Sequence, residues 1–119
     1  MTVPRPYPRG AVVLVDLEPV TGSEQGRTRP CIVLSNAATV RASGARALYF
    51  VVPLTTSGKL RGPLAPQLKA RPGGLPADST ALAMHARSID PARIVRQWGT
   101  VDAQDVGTLQ AAVRLLIEG

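Results

Sequence analysis

The chain has few of the residues that hold metals or form covalent intermediates. Of 119 residues, one is cysteine, Cys31, and one is histidine, His85. A single thiol excludes an intrachain disulfide, and nothing in the sequence calls for an oxidising compartment. The flanks "PCIVL" have the character of a strand, so Cys31 reads as a small buried apolar side chain. With carboxylates few and scattered, no spacing suits zinc or calcium, and the expectation is a protein without metal or cofactor. Gly22 and Gly26 are not followed by the Lys-Ser or Lys-Thr of a Walker loop. His85, the serines and the aspartates leave a Ser/His/Asp triad formally available, but no nucleophile-elbow pattern supports one. Aromatic residues make up 3% of the chain, so any reading of nucleic-acid bases would rest on hydrogen bonds more than on stacking. No apolar run approaches the ~20 residues needed to cross a bilayer. The start, "MTVPRPYPRG", lacks the apolar centre of a signal peptide, which leads to the expectation of a cytoplasmic protein.

Acidic residues are also scarce, 8 against 14 basic, for a net charge of +6. Only Lys59 and Lys69 are lysines, so the positive charge is mostly arginine, whose planar fork suits phosphate. That balance favours a polyanionic partner. The length predicts one domain, 1–119, large enough to bury a modest core.

The proline-rich first nine residues read as an irregular arm. "AVVLVDL" (Ala11 to Leu17), Pro30 to Leu34 and "ALYFVVPL" (Ala47 to Leu54) are β-rich runs, with Pro53 near a strand end or bulge. Glu18 to Arg29 and "NAATVRASGAR" (36–46) read as loops. Thr55 to Ser79 reads as a long excursion, with six prolines or glycines between Gly58 and Pro76 and four basic residues, Lys59, Arg61, Lys69 and Arg71. Ser79 to Ile89 reads as a strand. Asp90 caps one helical turn over Pro91 to Ile94, and "VRQWGTV" is a last strand. From Asp102 the pattern turns helical, with Val106, Leu109, Val113, Leu116 and Ile117 on one face. Five or six short strands and a C-terminal amphipathic helix predict a mainly β fold, a small, partly open barrel covered by that helix.

The polar stretch "GSEQGRTRPCIVLSN" (Gly22 to Asn36) offers the most chemistry. Glu24 is an acceptor and a possible base. Arg29 precedes Pro30, which restricts its backbone and anchors the guanidinium at a strand start. Thr55 and Thr56 follow another strand, and His85 lies in "AMHARSID". In a barrel these groups can gather on one rim. Such a set suits metal-free RNA cleavage, in which the 2′-OH attacks the adjacent phosphate. Arginine neutralises the phosphorane, while Glu24 or His85 fits proton transfer. A plainer reading stays open, in which Glu24 and Arg29 pair to close a loop, Thr55 bonds backbone and His85 is packed.

"RGAVVLVDLEPVTGSEQGRTRPCIVLSN" (Arg9 to Asn36) resembles the N-terminal signature of the MazF/PemK toxins, with weaker matches in "VVPLTTS", "HARSID" and the last helix. The resemblance implies an SH3-like β-barrel homodimer of the kind shared with CcdB toxins. It also implies a sequence-specific endoribonuclease cutting single-stranded mRNA to 2′,3′-cyclic phosphate and 5′-OH ends, with an acidic, MazE-like antitoxin as partner. The family's catalytic arginine, threonine and signature glutamate fall on Arg29, Thr55 and Glu24. Gln25, Arg27, Thr56, Ser57, Lys59, His85 and Arg87 are the implied RNA-binding residues, His85 standing where relatives usually carry glutamine. Two rivals are a CcdB-like toxin poisoning DNA gyrase and a catalytically silent nucleic-acid-binding barrel.

Overall fold

The β-branched runs form the centre of one sheet: β1 (Ala11–Asp16), β2 (Thr28–Val33) and β3 (Tyr49–Thr55), antiparallel in sequence order. The structure, a computed structural model, describes residues 7–17, 28–42 and 48–119. Four further strands are β4 (Gln67–Leu68), β5 (Ser79–Ala81), β6 (Arg87–Ile89) and β7 (Ile94–Thr100). The order is β4-β5-β3-β2-β1-β7, with β6 pairing β3 on the edge that β5 also uses. Two helices are added, α1 (Ala37–Ala42) and α2 (Ala103–Glu118).

The mainly β class with a C-terminal helix is as expected, and among the described residues the sheet stays open, with β4 and β7 as its two ends. Both of its faces are buried. Val13, Val15, Cys31, Val33 and Val51 enter one cluster with Tyr49, Ile89 and Ile94. Val12, Ile32, Val52 and Leu54 enter a second with Leu68, Leu75, Val101 and Leu109. Two-sided burial is why β1 reads as an unbroken apolar run rather than an alternation.

The second cluster is roofed by α2 and by the chain from 64 to 76. Asp102 caps α2 by accepting from Asp105 N at 2.9 Å. Leu109 and Ala112 are buried, and Val106 and Val113 pack alongside. The expected apolar stripe is not buried along its whole length, however, and Ile117 is 76% exposed. The excursion after β3 is anchored by the buried Leu68 and Leu75 and by the bonds Ala81 N to Pro66 O and Ala83 N to Leu64 O (2.9 and 3.1 Å). Its Gly73–Gly74 turn lies so close to β7 that a Cβ on Gly99 would sit 2.5 Å from the Gly73 oxygen, so only glycine fits there.

Three sequence expectations are corrected. Part of the predicted 36–46 loop is helix α1, because Asn36 Oδ1 accepts from Ala38 N and Thr39 N (2.8 and 3.2 Å) and Val40 docks on the first cluster. The predicted 79–89 strand is broken by a 3-10 turn, Ala83–His85, where the edge of β3 passes from β5 to β6. β2 begins at Thr28, ahead of Pro30. Asp90 caps the Pro91–Arg93 turn as expected, accepting from Ala92 N at 2.8 Å. The rest of the predicted 18–29 loop, 18–27, lies outside the described residues, as do 43–46 of the second loop. Among the described residues no helix is long and apolar enough to cross a membrane.

Candidate nucleic-acid interface

Arg29 is the second residue of β2 and is exposed. Its Cα pairs with Val15 on β1. On the other side of β2 the last pair with β3 is Cys31↔Pro53, so Arg29 and Thr55 each stand two residues further along, at the same end of that ladder. Side chains alternate along a strand, which puts both on the face that carries Cys31 and Val51. Thr55 is half-buried, and its Oγ1 accepts from Ser57 N at 3.2 Å, fixing the turn that leaves β3. A hydroxyl so engaged still has its proton to donate. Thr56, Ser57 and Lys59 are exposed, and Ser57 Oγ accepts from Lys59 N at 3.4 Å.

Arg87 opens β6 opposite Val51 and is exposed, while Ile89, two residues on, enters the first cluster. Arg87 therefore belongs to the same face as Arg29 and Thr55. Cys31 is on the same face, two residues from Arg29 along β2. Burial pushes its thiol up to about 12, and the positive charges of Arg29 and Arg87 oppose that rise. Both guanidinium groups thus act on one buried sulfur, which stays a neutral thiol and is no nucleophile. Sγ donates to the Arg29 carbonyl at 3.7 Å.

His85, expected within a strand, ends the 3-10 turn on the β5–β6 edge with its side chain exposed. Glu24, Gln25 and Arg27 lie outside the described residues. Of the four basic residues in the excursion, Lys69 pairs with Asp78 at 3.7 Å and Arg71 with Asp102 at 2.7 Å. Lys59 and Arg61 are exposed and have no ion pair among the described residues. Arg93 is structural: its Nη1 donates to the Asp16 and Leu17 carbonyls, both at 3.1 Å, and ties down the end of β1.

Sequence reasoning passed over Thr80. It is the β5 partner of Thr55 and is buried, and its Oγ1 donates to Gln67 Oε1 at 2.9 Å. Gln67 in turn donates to Ala65 O at 3.0 Å. This chain of bonds braces the strand end that carries Thr55. No local signal marks it, because it depends on pairing between distant strands. The rim offers two cations and several hydroxyls over an apolar floor, groups that bind a phosphodiester and oppose charge developing on it.

The family described as PemK-like, MazF-like toxin of type II toxin–antitoxin system matches residues 8–117. The chain is 36% identical over 113 residues to endoribonuclease MazF9 of Mycobacterium tuberculosis, covering 92% of this chain and 95% of that protein. It is 30% identical over 107 residues to endoribonuclease EndoA of Bacillus subtilis, covering 90% of each. Among solved structures, MazF from Deinococcus radiodurans superposes with a TM-score of 0.75 at 29% identity, over 96% of this chain and 98% of that one. The same organism's MazE–MazF complex gives a TM-score of 0.75 at 29% identity, over 94% and 96%.

Proposed function

This chain belongs to the PemK-like, MazF-like toxins of type II toxin–antitoxin systems, and we propose that it is a metal-independent endoribonuclease that cuts single-stranded mRNA at short sequences and so stops translation and growth. The observation that carries this reading is the placement of Arg29 and Thr55 at one end of the β2–β3 ladder, on one face, with Arg29 exposed.

In the proposed reaction the 2′-oxygen forms a bond to phosphorus and the bond to the 5′-oxygen breaks, leaving a 2′,3′-cyclic phosphate and a 5′-OH. Arg29 stabilises the phosphorane, since a guanidinium stays charged and bonds two oxygens at once. Thr55 orients the scissile phosphate through its free hydroxyl proton. Glu24 organises Arg29 or accepts the 2′-OH proton, and His85 contacts a base or returns a proton to the leaving oxygen. Gln25, Arg27, Thr56, Ser57, Lys59 and Arg87 hold the RNA, so affinity falls steeply with added salt.

The protein acts in the cytoplasm as a homodimer, and an acidic, MazE-like antitoxin covers the basic rim. The MazE–MazF complex of the Deinococcus relative supports that partner. Incubating the purified chain with RNA in EDTA tests the reading. Cleavage is expected there, and dependence on a divalent ion refutes the mechanism. Intact RNA together with poisoned DNA gyrase instead identifies a CcdB-like toxin.

A further inference from the structure

We propose that Thr80 and Gln67 are positioning residues for the reaction: together they hold the turn after β3, so that the Thr55 hydroxyl stays aimed at the scissile phosphate. The proposal rests on the endoribonuclease reading and on the place of Thr55 within it.

A ring of hydrogen bonds carries the argument. Thr55 Oγ1 accepts from Ser57 N at 3.2 Å, and Ser57 Oγ accepts from Lys59 N at 3.4 Å. The carbonyl of the next residue, Leu60, accepts from Gln67 Nε2 at 3.4 Å. Gln67 Oε1 accepts from Thr80 Oγ1 at 2.9 Å. Thr80 closes the ring, because its Cα pairs with that of Thr55 on one side and with that of Gln67 on the other. The three residues stand in one row across β3, β5 and β4, with the Cβ atoms of Thr55 and Thr80 about 5 Å apart.

The links differ in strength. Those at 3.4 Å belong to the turn after Thr55, where Thr56, Ser57, Lys59 and Leu60 are all exposed, and they are weak by length. The bond from Thr80 is short, and Thr80 is 1% exposed. A hydroxyl buried that deeply is costly to leave unpaired. It therefore fixes the Gln67 amide in one orientation, oxygen towards Thr80 and nitrogen towards the Ala65 and Leu60 carbonyls. A valine of nearly the same shape would fill the space, so what the hydroxyl adds is the bond. Without it the amide is free to rotate and the turn to drift, and Thr55 Oγ1 is fixed only as well as the turn that donates to it. A small drift at a group that orients the reacting phosphate lowers the rate.

The test begins by mapping the sites that the purified wild-type chain cuts in a mixed-sequence RNA, in EDTA. A short RNA with one such site is then assayed with wild type, Thr80→Val, Thr80→Ser, Thr55→Val and the double variant of Thr80→Val with Thr55→Val, well below the thermal midpoint of each. Thr80→Val is expected to lower kcat by about tenfold with KM raised much less. Thr80→Ser, which keeps the hydroxyl, recovers most of that loss. In the Thr55→Val background, Thr80→Val costs nothing further, since it acts through the hydroxyl already removed. A residue that only stabilises the fold would lower the midpoint and leave kcat of the folded protein alone. If Thr80→Val does not fold, Gln67→Met breaks the same bond from its exposed end and goes through the same cycle. If Thr55→Val cuts too slowly to measure, the split between kcat and KM and the serine rescue decide. Retained kcat in Thr80→Val, no recovery in Thr80→Ser, or losses that add in full in the double variant overturn the proposal while leaving the endoribonuclease reading intact. No cleavage by the wild-type chain overturns both.

Discussion

The two faces of the central strands are built alike and end differently. On both, β1, β2 and β3 contribute closely packed aliphatic side chains. On one face the apolar ladder gives way at its rim to Arg29, Thr55 and Arg87, all reaching solvent. On the other it runs under α2 and the 64–76 segment, where Leu68, Leu75 and Leu109 close it off. Because side chains alternate, the same strands serve as reactive rim on one side and as scaffold on the other. Substitutions on the two faces should then separate, with activity lost on the first and stability on the second.

The largest effect should come from the rim. Arg29→Ala is expected to slow single-turnover RNA cleavage by about 10³-fold while leaving the urea unfolding midpoint where it was. Equal loss of both would merge the two faces into one. Next is the scaffold face, where Leu109 is wholly buried. Leu109→Ala should cost about 3 kcal/mol in urea unfolding, yet the protein that remains folded should cut RNA at nearly the wild-type rate. Gly99→Ala should cost about 2 kcal/mol, because the new methyl meets the Gly73 and Gly74 carbonyls at 2.5 and 2.8 Å and the turn must move.

Cys31 gives a smaller and pH-dependent effect on the rim face. Burial raises its thiol from 9.0 to about 12, so the folded protein holds a proton that the unfolded chain releases. The associated stability is complete below about pH 9 and is lost as pH rises towards 12. Between pH 9 and 10 wild type should lose about 1 kcal/mol more than Cys31→Ala, measured by urea unfolding at each pH. A flat difference between the two proteins would mean that the thiol is more open to water than its position in the core allows. The smallest effect is expected at Asn36→Ala, which removes the cap of α1 and should cost somewhat under about 1 kcal/mol without altering cleavage.

Much of this architecture is legible from local pattern. The β-branched runs mark the three central strands, Asp102 with the periodic Val106, Leu109 and Val113 marks α2, and Asp90 before Pro91 marks the capped turn. Arg29 could be singled out because a proline follows it. What could not be read depends on contacts between distant segments. Helix α1 has six residues, too few for a period to emerge, so Asn36 looked like a loop residue rather than a cap. The pairing of Arg71 with Asp102, 31 positions away, removes a cation that composition alone assigned to the nucleic acid. Ile117 fits the helical stripe but is 76% exposed, so its periodicity predicts a burial that does not occur. The partly open barrel expected from the sequence is, among the described residues, a sheet whose β5, with β4, and β6 share one edge of β3.

The chemistry assigned to the rim is tested most directly by the ends it leaves on RNA. Mass spectrometry of RNA cut by the wild-type chain in EDTA should find 2′,3′-cyclic phosphates and 5′-hydroxyls at a small set of short sequences, and Arg29→Ala should yield almost none. Products ending in 3′-hydroxyls and 5′-phosphates, or an Arg29→Ala variant that cuts as the wild type does, would contradict the account.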